Sequence, residues 1–210
     1  DMGGSAHVLS LARLIMAMNL PVRLRLLIPA VENAIGQASY RPGDVFIARN
    51  GLSVEITNTD AEGRLILADA LAEAASEQPD LLIDFATLTG AARVAMGPIV
   101  APFMTKNQEL AQLLLAKGCE VNDPVWQLPL YDPYQKMLKS DIADCTNCAS
   151  TGFAGAITAA LFLQQFVDKS NWVHFDVNAW SEDERPCHPK GGDVSGFLAV
   201  WAMLQARYFS

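Results

Sequence analysis

A three-layer α/β fold, with a mixed central sheet and helices on both faces, is what this sequence predicts. Three observations carry that expectation. Segments with helical apolar spacing alternate along the chain with short apolar runs that read as strands. One Asn-Gly hairpin interrupts the alternation, so the sheet is mixed. The run 81–85 is nearly continuous in apolar residues, as a strand buried on both faces would be.

Taken in order, Val8, Leu11, Leu14, Ile15 and Met18 place one apolar stripe on a helix over 6–18. Residues 22–28 alternate in part and are rich in Leu and Val, which predicts a strand. Asn50-Gly51 stands between the apolar runs 45–47 and 52–56 and predicts a hairpin. A helix follows over 65–75, rich in alanine, then strands over 81–85 and 100–104. Residues 107–118 form a helix with Gly118 as its C-cap. Pro124, Pro129 and Pro133 break up 123–151, which predicts loops with one short helix. A helix over 155–167, a strand over 173–177 and a closing helix over 195–208 complete the pattern. No repeat, low-complexity tract or linker appears, so one domain over 1–210 is expected.

Hydrophobic residues make up 51% of the chain and charged residues 18%, which allows a large core and excludes disorder. A net charge of -8 repels phosphate backbones and anionic lipid, so neither nucleic acid nor a membrane surface is an expected partner. No apolar run is long enough to cross a bilayer. Cys145 and Cys148 form a C-x-x-C, but zinc ordinarily takes four ligands, and Cys187 with His188 cannot easily complete a set. Reduced thiols are the expected state of all four cysteines. His7, His174 and His188 do not cluster and read as structural. Trp172, Trp180 and Trp201 read as packing residues, and Glu182-Asp183-Glu184 as a solvated loop.

The chemistry concentrates in Asn58-Thr59-Asp60-Ala61-Glu62-Gly63-Arg64-Leu65, between the second hairpin strand and a helix. In an extended segment Asp60, Glu62 and Arg64 share one side, two carboxylates and a guanidinium together. Carboxylates that close repel unless a cation lies between them, and hard divalent metals take such oxygen ligands. The same spacing equally fits a helix N-terminus, with Asp60 as N-cap, Glu62 favoured by the helix dipole and Arg64 a surface ion-pair partner. Spacing alone leaves both readings open.

The octapeptide resembles the signature of the leucine aminopeptidase (cytosol aminopeptidase) family at all eight positions. Asp1-Met2-Gly3-Gly4 resembles the end of that family's lysine- and aspartate-rich metal motif. Asp84-Phe85-Ala86-Thr87-Leu88-Thr89-Gly90-Ala91 resembles its threonine-rich loop. Ser140-Asp141-Ile142-Ala143-Asp144, the helix ending Phe162-Leu163-Gln164-Gln165-Phe166-Val167 and the strand Trp172-Val173-His174-Phe175-Asp176 fit as well. The resemblance implies an aminopeptidase with two divalent ions, Mn²⁺ or Zn²⁺, acting on N-terminal leucine and other residues of peptides. It implies Asp1 and Asp60 as ligands of one ion each, Glu62 as a ligand of both, and Arg64 as a catalytic arginine that holds bicarbonate. Thr87, Leu88 and Gly90 would contact substrate. A cytoplasmic homohexamer is implied as well. The family's upstream lysines and third aspartate are not in this sequence, so the chain is expected to be the C-terminal portion of a longer protein. Two rival readings remain: another dimetal hydrolase, such as a phosphoesterase, and an inactive fragment or binding module that keeps the fold.

Overall fold

The computed structural model describes residues 2–37, 39–167 and 170–209. Its first helix, α1 (Gly3–Ala17), buries Leu11 and Ile15 of the expected stripe together with His7, while Val8 and Leu14 are half-buried and Met18, just past its end, is exposed. Residues 22–28 form no strand, contrary to expectation. Leu24, Leu26 and Ile28 are exposed there, and an alternating pattern without a neighbouring strand has nothing to stabilise it. The hairpin forms as β1 (Val45–Ile47) and β2 (Ser53–Glu55), with Gly51 at φ +91° in a turn closed by Ala48 N–H donating to Leu52 O. Then come α2 (Glu62–Ser76), β3 (Leu82–Ala86) and α3 (Gly90–Met96). Next are β4 (Ala101–Met104), α4 (Gln108–Glu120) and β5 (Val125–Gln127). A 3-10 helix (Asp132–Leu138), β6 (Cys145–Thr146) and α5 (Gly155–Gln164) follow. The chain closes with β7 (Trp172–Asp176), β8 (Trp180–Ser181), β9 (Gly191–Gly192) and α6 (Phe197–Tyr208). The class is the mixed α/β one expected.

Two details depart from the sequence reading. Gly118 lies inside α4, not at its cap; a Cβ there would stand 2.8 Å from the Asp123 carbonyl, so glycine lets the following turn fold back on the helix. The proline-rich stretch 123–151 holds two strands besides its short helix. β5 is an edge strand, where Pro124 just before it removes no ladder bond that the sheet needs.

The chain folds as two compact units, each assembled from separated stretches. Unit 1 contains Asp1–Leu26, Ile83–Pro129 and Asn171–Ser210. Its sheet runs β3-β7-β4-β5, with β4 parallel to β5 and antiparallel to β7. Every residue of β4 and β7 is buried, so both faces are covered. One face carries an aromatic row: Phe85 stacks on Phe175 at 4.6 Å, Phe103 lies 5.7 Å from Phe175, and His7 of α1 stacks on Phe85 at 5.0 Å. Such pairs add about 0.5–1.5 kcal/mol each beyond burial. α1 comes this close because of its glycines: a Cβ on Gly4 would meet the Phe85 carbonyl at 2.0 Å. On the opposite face Asp84 accepts from Trp172 Nε1 at 2.7 Å and pairs with His174 Nδ1 at 2.6 Å. The Asp123 carboxylate caps α6 by accepting from Gly196, Leu198 and Ala199 N–H. All four tryptophans lie in unit 1. Trp172 is 4% exposed, while Trp126 and Trp180 are 59% and 48% exposed, so Trp180 is not the packing residue expected.

Unit 2 contains Leu27–Leu82 and Leu130–Ser170. Its sheet runs β1-β2-β6, antiparallel between β1 and β2 and parallel between β2 and β6, with Val54 opposite Cys145 and Glu55 opposite Thr146. Asp144 locks the start of β6 to β2 by accepting from the Ser53 N–H and hydroxyl. α2 packs on α5, whose Thr158 through Leu163 are buried without a break. Arg49 and Glu73 form an ion pair at the surface.

Candidate functional site

The octapeptide begins in the loop after β2 and ends in the first turn of α2, within unit 2. Asp60 is exposed, and its N–H donates to Asn58 Oδ1 at 2.9 Å. The N-cap of α2 is Ala61 with no side-chain cap bond, so Asp60 does not cap the helix. Glu62 opens α2, where the unpaired N–H groups favour negative charge. Its Oε2 is buried with no hydrogen-bond partner among the described residues. Arg64 is only 7% exposed and donates from Nη1 to the Asn147 carbonyl at 2.8 Å, which is not the geometry of a surface ion pair. The expected common side for Asp60, Glu62 and Arg64 does not survive either. Helix begins at Glu62, and at about 100° per residue Glu62 and Arg64 point in nearly opposite directions.

The loop carrying these groups is held by neutral side chains. Asn147 is fully buried; its Oδ1 accepts from Thr57 N–H at 2.8 Å and Asn58 N–H at 3.2 Å, and its Nδ2 donates to Asn58 O at 2.7 Å. Asn33 Nδ2 and the Tyr40 hydroxyl both donate to Thr59 O, each at 3.3 Å. Burial, then the charges of Glu62 and Asp60, push the Tyr40 phenol above its usual value. None of these three supports was anticipated. Asn147 lies inside the C-x-x-C, where the thiols draw the eye, and Asn33 and Tyr40 fall in a stretch without helix or strand periodicity.

Thr87 and Leu88 occupy the loop between β3 and α3, and Gly90 opens α3, all within unit 1. Buried Asp176, at the end of β7, holds that loop: Oδ1 accepts from Leu88 and Thr89 N–H, both at 3.0 Å, and Oδ2 from the Thr89 hydroxyl at 2.6 Å. Burial raises the Asp176 pKa even against the opposing pull of His174 and these bonds. Thr89 in turn caps α3 by accepting from Ala92 N–H, which is how a seven-residue helix without strong periodicity forms. A Cβ on Gly3 would crowd the Thr87 and Ala179 side chains, so the start of α1 lies against this loop.

Asp1, the third expected ligand, lies outside the described residues. Among the described residues, no three His, Cys, Asp or Glu side chains gather as a ready metal site. The four cysteines are free thiols; burial, reinforced by Asp144, pushes Cys145 up to about 11. His7 is buried and neutral in its bonding, with Nδ1 2.7 Å from the Gly3 carbonyl as donor and Nε2 accepting from Ser195 N–H. His188 and Arg185 both bond Asp193 at the surface of unit 1.

A model of the catalytic domain of the cytosol aminopeptidase family matches residues 1–200. The chain is 45% identical over 208 residues to a probable cytosol aminopeptidase of Geobacter sulfurreducens, covering 98% of this chain and 42% of the relative. A probable cytosol aminopeptidase of Chlamydia abortus is 49% identical over 202 residues, with coverage of 94% and 40%. The chain thus spans about two-fifths of the length of the curated relatives it matches. Among solved structures, the cytosol aminopeptidase of Coxiella burnetii superposes with a TM-score of 0.96 at 57% identity, covering 99% of this chain and 46% of that one. The bottromycin maturation enzyme BotP in complex with Mn gives a TM-score of 0.91 at 35% identity, covering 99% and 47%.

Proposed function

The chain belongs to the cytosol aminopeptidase family, matching its catalytic domain, and on that footing we propose that the full-length protein removes leucine and other N-terminal residues from peptides with two divalent metal ions. The observation that carries the reading is Glu62. A buried carboxylate oxygen without a hydrogen-bond partner is costly unless a cation satisfies it. A second carboxylate, Asp60, lies two residues before it, in the loop that leads into α2. Hard oxygen donors of this kind suit Mn²⁺ or Zn²⁺ bound partly by carboxylate, and BotP, a structural neighbour, is a complex with Mn.

Asp60 and Asp1 would each hold one ion and Glu62 both, because its two oxygens can serve separate cations. When bound, the pair supplies Lewis acidity that activates water near neutral pH and offsets charge on the scissile carbonyl. The protein's share is positioning. Glu62 sits where the start of α2 favours an anion. Arg64 presents a rigid fork of donors suited to a planar anion such as bicarbonate, with one arm already anchored on Asn147 O. Thr87 and Leu88, in the loop tied down by Asp176, and Gly90 at the start of α3 would offer main-chain groups to the peptide. The same reading includes a cytoplasmic homohexamer and no nucleic-acid or membrane partner; no helix among the described residues is long and apolar enough to cross a membrane. Against an inactive binding module stands the orphaned oxygen of Glu62, which such a module would have no reason to keep.

Replacing that carboxylate tests the reading. Glu62→Gln in the full-length protein should lose bound metal, by elemental analysis, together with hydrolysis of an aminoacyl amide. Two ions retained at wild-type stoichiometry would sink it.

A further inference from the structure

We propose that Asn147 is the positioning residue of the site, a buried amide that sets where the carboxylate loop and Arg64 stand; this rests on the reading that Asp60 and Glu62 hold ions. All of its polar groups are engaged. Its N–H donates to Glu55 O at 2.9 Å, continuing the β2–β6 ladder. Its side chain then takes over where the strands stop, accepting from Asn58 N–H and donating to Asn58 O, so one amide pairs both main-chain groups of a loop residue. Asn58 passes the constraint on, because its Oδ1 fixes the N–H of Asp60. The Asn147 carbonyl meanwhile receives Arg64 Nη1. One residue therefore fixes the loop of Asp60 on one side and the guanidinium on the other.

The residue type follows from that task. The position needs an acceptor and a donor on one planar group of this length. Aspartate offers two acceptors and turns the second toward the Asn58 carbonyl. Serine is too short to span both bonds. Neutrality matters as well, since another negative charge would compete with Asp60 and Glu62 for the ions. Groups of this outer kind, which touch no ligand, change metal affinity or activity by about 10- to 100-fold when removed.

The test uses the full-length protein with Mn²⁺ as probe. Asn147→Asp keeps shape and the Oδ1 acceptor and loses the donor; Asn147→Ser is the second variant if the first does not fold. Leu161→Ala, at a fully buried apolar position of α5 that makes none of these side-chain bonds, is the control for lost stability alone. In the folded protein, Asn147→Asp should weaken Mn²⁺ binding by about 10- to 100-fold and lower kcat at saturating Mn²⁺ more than it moves KM. Leu161→Ala should lower the Tm and leave the Mn²⁺ affinity near wild type. Wild-type Mn²⁺ affinity and kcat in the Asn147 variants, or equal losses in Leu161→Ala, would overturn the proposal. Metal loss in Glu62→Gln beside wild-type affinity in Asn147→Asp rejects the positioning role alone. Unchanged metal in Glu62→Gln removes the site reading and this role with it.

Discussion

The loop of Asp60 in unit 2 and the loop of Thr87–Thr89 in unit 1 are both fixed by side chains reaching main-chain groups, yet with opposite electrostatics. Neutral groups hold the first: the amides of Asn147 and Asn33 and the phenol of Tyr40. A buried carboxylate, Asp176, holds the second. The difference follows what each loop carries. The Asp60 loop and the adjoining turn present carboxylates, and a further anion nearby would cost on the order of several kcal/mol at short range in a partly buried setting. The Thr87–Thr89 loop carries no charge of its own, so it can be held by charge-assisted bonds, each roughly twice as strong as a neutral one. What a loop presents decides what may hold it.

The largest effect expected from this contrast is on turnover. Arg64→Lys in the full-length protein should keep both metals and lower kcat by about 10²–10⁴-fold, because a point charge cannot replace the planar fork. Unchanged kcat in fully metallated enzyme would reduce Arg64 to a strut between α2 and Asn147. Next comes stability. Asp176→Ala orphans two N–H groups and a hydroxyl, at about 1–3 kcal/mol each where they stay dry, so urea denaturation should register a loss on the order of 3 kcal/mol or more. Asp176→Asn should cost less, since an amide oxygen still accepts from Leu88 and Thr89; equal losses would show that charge is not what holds this loop.

Unit 1 also carries a pH dependence. Burial holds the His7 pKa below its unfolded value of 6.5, outweighing the bonds to Gly3 and Ser195. As pH falls below 6.5 the unfolded chain takes up a proton that the folded chain resists, so stability falls, by up to about 1.4 kcal/mol per pH unit. Above that pH His7 contributes no slope. Thermal melts from pH 7.5 to 5.5 (about one unit either side of 6.5) should drop more steeply in wild type than in His7→Gln. The smallest effect falls on the neutral side of the contrast. Tyr40→Phe removes one of two donors to Thr59 O and should cost about 0.5–1.5 kcal/mol; a much larger loss would mean that Tyr40 and Asn33 do not share that carbonyl.

Much of the frame was legible because its signals are local. Asn50-Gly51 marks the hairpin, and the apolar runs of β3, β4 and β7 lie within two residues of where periodicity puts them. The octapeptide is contiguous and so could be recognised. What escaped depends on distant partners. α3 exists through Thr89, which is set by Asp176 from 87 positions away, and Asn147 reaches Asn58 across 89. Such bonds leave no periodic trace. The strand expected at 22–28 failed for the converse reason, a local pattern with no neighbour to pair with. The absence of a linker signal has the same root: the units interleave separated stretches, so composition does not change at any one point.

The placement of the tryptophans makes the protein's own light a partial witness. With Trp126, Trp172, Trp180 and Trp201 all in unit 1, indole emission from this chain follows one unit, while Asp60, Glu62, Arg64 and Asn147 belong to the other. Trp172, sealed in and bonded to Asp84, should emit to the blue of the exposed Trp126 and Trp180 and shift red when unit 1 opens. A substitution at Asn147 that loosens only unit 2 would leave that signal unmoved. Far-ultraviolet dichroism, which sees α2 and α5, would record the change, and a gap between the two melting curves would measure how independently the units hold.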